Sequence, residues 1–138
     1  MIGGFGRFVT AQASTWEGAL AELRAGAKLG HWMWFVFPQL SGLGLSPTAR
    51  HYAIANMAEA RAYLAHPVLG RRLLEGTRAL LDHAGRAPAA ILGATDAMKL
   101  RSSLTLFEAA GGDRLFGEAL DAFFSGERDP LTLALLRR

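Results

Sequence analysis

Ser14-Thr15-Trp16-Glu17-Gly18-Ala19-Leu20-Ala21-Glu22-Leu23-Arg24-Ala25-Gly26 is the stretch whose reading decides the fold. Trp16, Ala19, Leu20 and Leu23 recur at i, i+3, i+4 and i+7, which is one face of a 3.6-residue helix, and Gly26 closes it. Ser14 stands three residues before Glu17, the spacing of a capping box, so the helix is expected to open at Ser14.

The same punctuation returns along the rest of the chain. Ser46-Pro47, His66-Pro67, Ala87-Pro88 and Asp129-Pro130 each read as a cap region followed by proline at the first helical position, where a missing N–H costs nothing. The helix expected from Pro67 carries Leu69, Leu73, Leu80 and Ala84 on one side and a solvated charged face, Arg71, Glu75, Arg78 and Asp82, on another. Phe116, Ala119, Leu120 and Phe123 repeat the apolar period, with Gly126 as the stop. Nothing alternates strictly with valine or isoleucine enrichment, so a sheet is not expected. Trp32-Met33-Trp34-Phe35-Val36-Phe37 reads equally as a buried strand or as a helix buried on all sides, and Gly4-Phe5-Gly6 reads as a flexible terminus. The expectation is an all-α protein, a single compact multihelical domain of short helices over residues 1–138.

Composition narrows the class further. A chain of 138 residues that is 51% hydrophobic suffices for one core. The apolar run from Trp32 to Phe37 falls far short of the roughly 20 residues that a membrane span needs. Met1-Ile2-Gly3-Gly4-Phe5-Gly6 lacks the basic, apolar and small-residue parts of an export signal, so no membrane association and a cytoplasmic location are expected. The absence of cysteine excludes a disulfide framework, a thiolate nucleophile and a zinc knuckle. The net charge of +3 is spread out, apart from Arg71-Arg72 and Arg137-Arg138, so a nucleic acid partner is not expected. Thirteen of the fifteen cationic residues are arginine. The exceptions, Lys28 and Lys99, are either chance or places where a compact ammonium is wanted rather than a planar guanidinium.

Two segments concentrate unusual chemistry. Lys28-Leu29-Gly30-His31-Trp32-Met33-Trp34-Phe35-Val36-Phe37-Pro38-Gln39 sets large aromatic rings beside a lysine, a histidine and an amide. It opens into Ser41-Gly42-Leu43-Gly44-Leu45-Ser46-Pro47, which is either an anion-binding loop entering a helix N-terminus or a simple turn. In the second segment, residues 93–107, Thr95 is the expected N-cap and Asp96, Lys99, Ser103 and Leu106 share one face, while Leu100, Leu104 and Phe107 share another. If the polar stripe is buried its groups need partners, a ligand among them; if it is exposed, Asp96 and Lys99 are a first-turn ion pair. His31, His51, His66 and His83 lack metal-site spacing, and neither a serine-hydrolase elbow nor a phosphate-binding P-loop occurs, so no metal and no cofactor are expected.

A resemblance rests on the same residues. Arg7-Phe8 with Gln12, Lys28 with the block from His31 to Gln39, Gly42-Leu43-Gly44 with Ser46, Glu59-Ala60, Tyr63-Leu64, His66-Pro67, the run Lys99-Leu100-Arg101-Ser102-Ser103 to Phe107, Asp129 and Thr132-Leu133 resemble the bacterial domain-of-unknown-function family numbered 1810. Some of its members carry the label calpastatin, although nothing here resembles the disordered repeats of a calpain inhibitor. The resemblance spans nearly the whole chain and implies a multihelical fold of its own type with no settled activity. The order of a late helix bearing lysine and small polar residues, a Phe-containing helix and an Asp-x-x-Thr-Leu ending is also similar to proteins that cleave N-glycosidic bonds to ADP-ribose. The early aromatic block, however, holds no glutamate to act as acid or base.

Two functions are therefore expected to compete. In the first, the two segments meet as a pocket for an anionic nucleotide or ADP-ribose-like small molecule, with hydrolysis there as the reaction to test. Lys28 and Lys99 would hold phosphate or carboxylate, Trp32 or Trp34 would stack a planar ring, and His31, Asp96 or Lys99 would carry the catalytic step. Gln39, Gly42, Gly44, Ser46, Ser102 and Ser103 would complete the ligand contacts. In the second, the chain is a non-enzymatic helical protein-interaction module whose tryptophans fill the core. Oligomeric state is open.

Overall fold

In the computed structural model, which describes residues 4–137, ten helices follow one another with no strand among the described residues. They are α1 (Gly6–Ala13), α2 (Trp16–Ala25), α3 (Met33–Val36), α4 (Pro47–His51), α5 (Met57–Ala65), α6 (Leu69–Leu81), α7 (Pro88–Leu92), α8 (Ala94–Ala109), α9 (Leu115–Phe124) and α10 (Pro130–Leu136). The fold is all-α, as expected. No helix among the described residues is long and apolar enough to cross a membrane. Met1, Ile2, Gly3 and Arg138, on which part of the export-signal and terminal-arginine readings fell, lie outside the described residues.

α8 is the axle. Every residue from 102 to 107 is buried, Leu100, Leu104 and Phe107 completely, and α5, α7, α9 and α10 pack around it. A helix in that position cannot show one apolar stripe, which is why Ser102, Ser103 and Thr105 are buried along with its leucines. α6 forms the second layer, with Leu69, Leu73 and Leu80 turned to α2, α5 and α9. Its Arg71 and Glu75 form an exposed i,i+4 pair, so the solvated face is where the sequence placed it. Each fully buried leucine contributes about 1.5–3 kcal/mol, and Leu69, Leu73, Leu80, Leu100 and Leu104 lie in one continuous cluster with Phe8, Trp32, Tyr63, Phe107 and Phe116.

The ambiguous aromatic run resolves into a single helical turn, α3, ended where Pro38 follows Phe37. Beyond it Leu40 and Ile54 make one isolated parallel bridge, with the Ile54 N–H donating to the Gln39 carbonyl at 2.8 Å and the Ser41 N–H to the Ile54 carbonyl at 2.8 Å. Gln12, from α1, pins the turn from outside: its amide donates to the Phe35 carbonyl at 2.6 Å and its carbonyl oxygen accepts from Arg72 at 3.3 Å. The buried Tyr63 hydroxyl lies beside Gln12, and burial pushes its pKa up.

Several local expectations are corrected. The Ser14–Glu17 capping box does not form: α1 runs to Ala13, Ser14 keeps helical angles as its C-cap, and α2 opens after Thr15 without a side-chain cap. α6 begins at Leu69 rather than Pro67, with Val68 as its N-cap; just ahead of it His66 Nδ1 accepts from the Val68 and Leu69 N–H groups at 3.2 and 3.1 Å. The N-cap of α8 is Gly93, in a positive-φ conformation of 87° that suits glycine, so Thr95 falls inside the first turn. α9 stops at Phe124, with Ser125 itself left-handed ahead of Gly126. α6 ends at Leu81, leaving Ala84 exposed beyond it. Phe5 is no loose terminus: it caps α1 and lies edge-on to Tyr63 and His66, with ring centroids 5.7 and 5.9 Å away.

Candidate functional site

The turn after α2 is organised by a residue of α2 itself. Glu22 reaches into the turn, where its Oε1 accepts the N–H groups of Leu29 at 2.7 Å and Gly30 at 2.9 Å and the indole N–H of Trp32 at 3.0 Å. Partial burial pushes the Glu22 carboxyl up, but the three donors and the nearby Lys28 charge outweigh it and hold the pKa below the ordinary carboxylate value. Glu22 thus ties the turn that leads into the aromatic block. It sits where the chain folds back, and its i+7, i+8 and i+10 partners follow no helical spacing that would have selected it.

The turn then meets α8. The Lys28 N–H donates to the Ile91 carbonyl at 2.9 Å, and its ammonium lies 2.8 Å from Asp96 Oδ2, against the Gly30 carbonyl and 5.0 Å from the centre of the Trp32 ring. Asp96 is shared: its Oδ1 lies 3.4 Å from the ammonium of Lys99, which rests 4.4 Å from the centre of the Trp34 ring. Lys28 is almost withdrawn from solvent, at 8% side-chain exposure, while Lys99 keeps 21%. The two lysines therefore differ in kind. Lys28 is bound into the fold, and Lys99 faces outward.

On the far side of Lys99, one turn along α8, lies a polar knot at the start of α10. Asp129 Oδ2 accepts the Ser102 hydroxyl at 3.1 Å, the Thr132 N–H at 3.2 Å and the Thr132 hydroxyl, while the Asp129 N–H donates to Thr105 Oγ1 at 2.9 Å. Asp129 Oδ1 faces Arg101 at 3.6 Å. This is an N-cap extended into a network, and it fixes where α10 leaves α8.

Between these clusters opens a cleft of about 300 Å³, lined by Gln39, Leu43, Gly44, Thr95, Met98, Lys99, Ser102, Asp129 and Leu131. Of the residues singled out from sequence, Gln39, Gly44, Lys99 and Ser102 come together here. Asp96 stands behind Lys99. Trp34 is half-buried beneath the Lys99 ammonium, whereas Trp32 is 1% exposed and presents no ring face to solvent. His31 is exposed and is not among the lining residues. Gly42, at a φ of 103°, turns toward Leu135 instead. Ser46 caps α4, accepting the Ala49 N–H at 3.1 Å. Ser103 is fully buried, and its Oγ has no partner among the described residues. Asp129, Met98 and Leu131 are cleft residues that periodicity could not pick out, since all three depend on how α10 folds back on α8. No three His, Asp or Glu side chains among the described residues are grouped to hold a metal ion.

The family model described as "Protein of unknown function (DUF1810)" matches residues 4–136. Among solved structures, the crystal structure of the conserved hypothetical protein Rv1873 from Mycobacterium tuberculosis is similar over 96% of both chains, with 48% sequence identity and a TM-score of 0.94. No curated protein matches.

Proposed function

We propose that this chain, which belongs to the DUF1810 family, binds a small anionic molecule of nucleotide type in the cleft between the 39–44 loop, α8 and the start of α10. The observation that carries the reading is the ammonium of Lys99, on a side chain about one-fifth exposed at the cleft wall and braced by Asp96 and the Trp34 ring. A cation so placed can meet phosphate without first leaving the fold. Beside it Gln39, Ser102 and Asp129 supply an amide, a hydroxyl and a carboxylate that suit the hydroxyls of a sugar. Leu43, Met98 and Leu131 supply an apolar shelf for a ring. A volume of about 300 Å³ lies at the lower end for small-molecule sites, which favours a mononucleotide or sugar phosphate over a whole ADP-ribose. For a hydrolytic step the ionisable groups lining the cleft are Lys99 and Asp129, with His31 outside it.

The test is thermal stabilisation of the wild type and Lys99→Ala against AMP, ADP, ADP-ribose, sugar phosphates and small carboxylates. A ligand at one hundred times its dissociation constant stabilises by about 2.7 kcal/mol, enough to move the melting temperature of a domain this size by several degrees. The reading stands if one class shifts the wild type and not Lys99→Ala. A second reading, a helical protein-interaction module, draws on the exposure of Leu45, Met98 and Leu131, at 74%, 67% and 65%. It becomes the better account if no small molecule shifts the wild type.

A further inference from the structure

We infer that a second pocket, walled by Leu40 and Ser41, the start of α5 and the end of α10, binds a small uncharged ligand through an amide group, as in a capped amino acid. The pocket measures about 360 Å³ and does not depend on the anion cleft. Its apolar wall is Met57, Leu135 and Leu136, all partly buried against the core, and its polar side chains are Ser41 and Asn56. No ionisable side chain lines it among the described residues. A charged ligand would give up water there without meeting a counter-charge, whereas a neutral one with an apolar side chain loses nothing by entering. The volume sits near the small end for ligand sites, which suits one capped residue rather than a long peptide.

The backbone of Leu40 names the ligand chemistry. In its parallel bridge with Ile54, the Ile54 N–H and carbonyl bond to Gln39 and Ser41, the residues on either side of Leu40. Successive residues of an extended strand present their N–H and C=O groups to opposite edges, so those of Leu40 point away from Ile54. The corresponding outward groups of the Ile54 segment are largely satisfied within the fold. The Ala53 N–H donates to the Arg50 carbonyl at 3.4 Å, the Ala53 carbonyl accepts from Arg7 at 2.9 Å, and the Ala55 N–H donates to Glu59 at 3.0 Å. The Leu40 N–H and carbonyl have no partner among the described residues, although Leu40 is only 4% exposed. Its side chain belongs to the core cluster, so what Leu40 lends to the pocket wall is its peptide. Backbone groups so withdrawn from water need partners. A donor and an acceptor side by side are the complement of an amide, whose carbonyl accepts from one and whose N–H donates to the other, as when an extended segment adds to a sheet edge.

Acetyl-leucine N-methylamide and its diester isostere, in which oxygen replaces both N–H groups, are a matched pair of probes. They share shape and apolar surface and differ in the donors that the Leu40 carbonyl requires. An amide-resolved NMR titration of the full chain should show saturable shifts at Leu40, Ser41 and Ala55 with the amide probe, the Leu40 N–H moving downfield as it gains an acceptor. The diester should bind about fivefold more weakly or worse. Ala55→Leu enlarges an exposed side chain at the pocket, and it should remove the shifts while the melting temperature stays close to that of the parent. The comparison of the two probes on the wild type stands whether or not that variant folds. Equal affinity of the amide and the diester overturns the pairing with Leu40 and leaves an apolar pocket. No saturable shift at Leu40, or shifts that persist in a folded Ala55→Leu protein, overturns the site.

Discussion

The ammonium of Lys99 rests 4.4 Å from the centre of the Trp34 ring, so the late polar helix and the early aromatic block, some 65 residues apart in sequence, touch through a cation and a π face. Cation–π contacts at partly exposed sites are worth about 0.5–1 kcal/mol. Lys99→Met should therefore cost only about 1 kcal/mol of stability in a urea melt while removing anion binding. A large loss of stability would mean that Lys99 serves the fold first.

Glu22 is a test of the turn. It accepts three N–H donors with one oxygen, and hydrogen bonds to a charged group are worth about 1.5–3 kcal/mol when well formed, less where solvent reaches them. Glu22→Gln should destabilise by about 1–2 kcal/mol near neutral pH. Its folded pKa is lowered, so the stabilisation is fully present above the unfolded pKa, near 4.5, and is lost as pH falls through the lower folded value. The gap between wild type and Glu22→Gln should shrink as melts are taken from pH 6 toward pH 3. A gap that widens on acidification would contradict the assignment.

Asp129 should matter to the fold as well as to the cleft. Replacing it with alanine removes the cap of α10 and leaves the Thr132 N–H and hydroxyl without their acceptor, while the Ser102 hydroxyl keeps only the Met98 carbonyl. The expected loss is about 2–3 kcal/mol in chemical denaturation. Asp129→Asn, which keeps an acceptor oxygen, should lose less. Equal losses for the two variants would show that the hydrogen bonds are not what Asp129 contributes.

Ser103 should behave in the opposite way. Its Oγ is buried with no partner among the described residues, so Ser103→Ala removes a desolvated hydroxyl and should be neutral or stabilising by up to about 1 kcal/mol. A loss above about 2 kcal/mol in the same melt would reveal a hydrogen bond that the structure does not contain.

The helical class and most helix positions were legible because Trp16, Leu20 and Leu23 or Leu69, Leu73 and Leu80 follow a period that only burial of one face explains. Helix starts were less so. Ser14 looked like a cap and is not one, because the preceding helix reaches it first, and the helix expected at Pro67 after His66 opens only at Leu69. The unusual composition of two segments raised a meeting of Lys28, Asp96, Lys99 and Trp34 as one of two expectations, and these side chains do lie together. Periodicity is silent on which side chains face the gap between packed helices. Ser102 and Ser103 are adjacent on α8, yet one lines the cleft and the other is sealed in the core, a difference set by where α10 and the 39–44 loop lie. Glu22 depends on tertiary folding in the same way, and Asp129, legible as the cap of α10, finds Ser102 and Thr105 only after the chain has turned back on itself.

Calorimetric titration of AMP and ribose 5-phosphate into the wild type and into Lys99→Met tests the central claim most directly. The account predicts saturable binding of at least one of them to the wild type, and its loss in a Lys99→Met protein that melts within a few degrees of the parent. Equal binding by both proteins, or no binding of either ligand by the wild type, would contradict it.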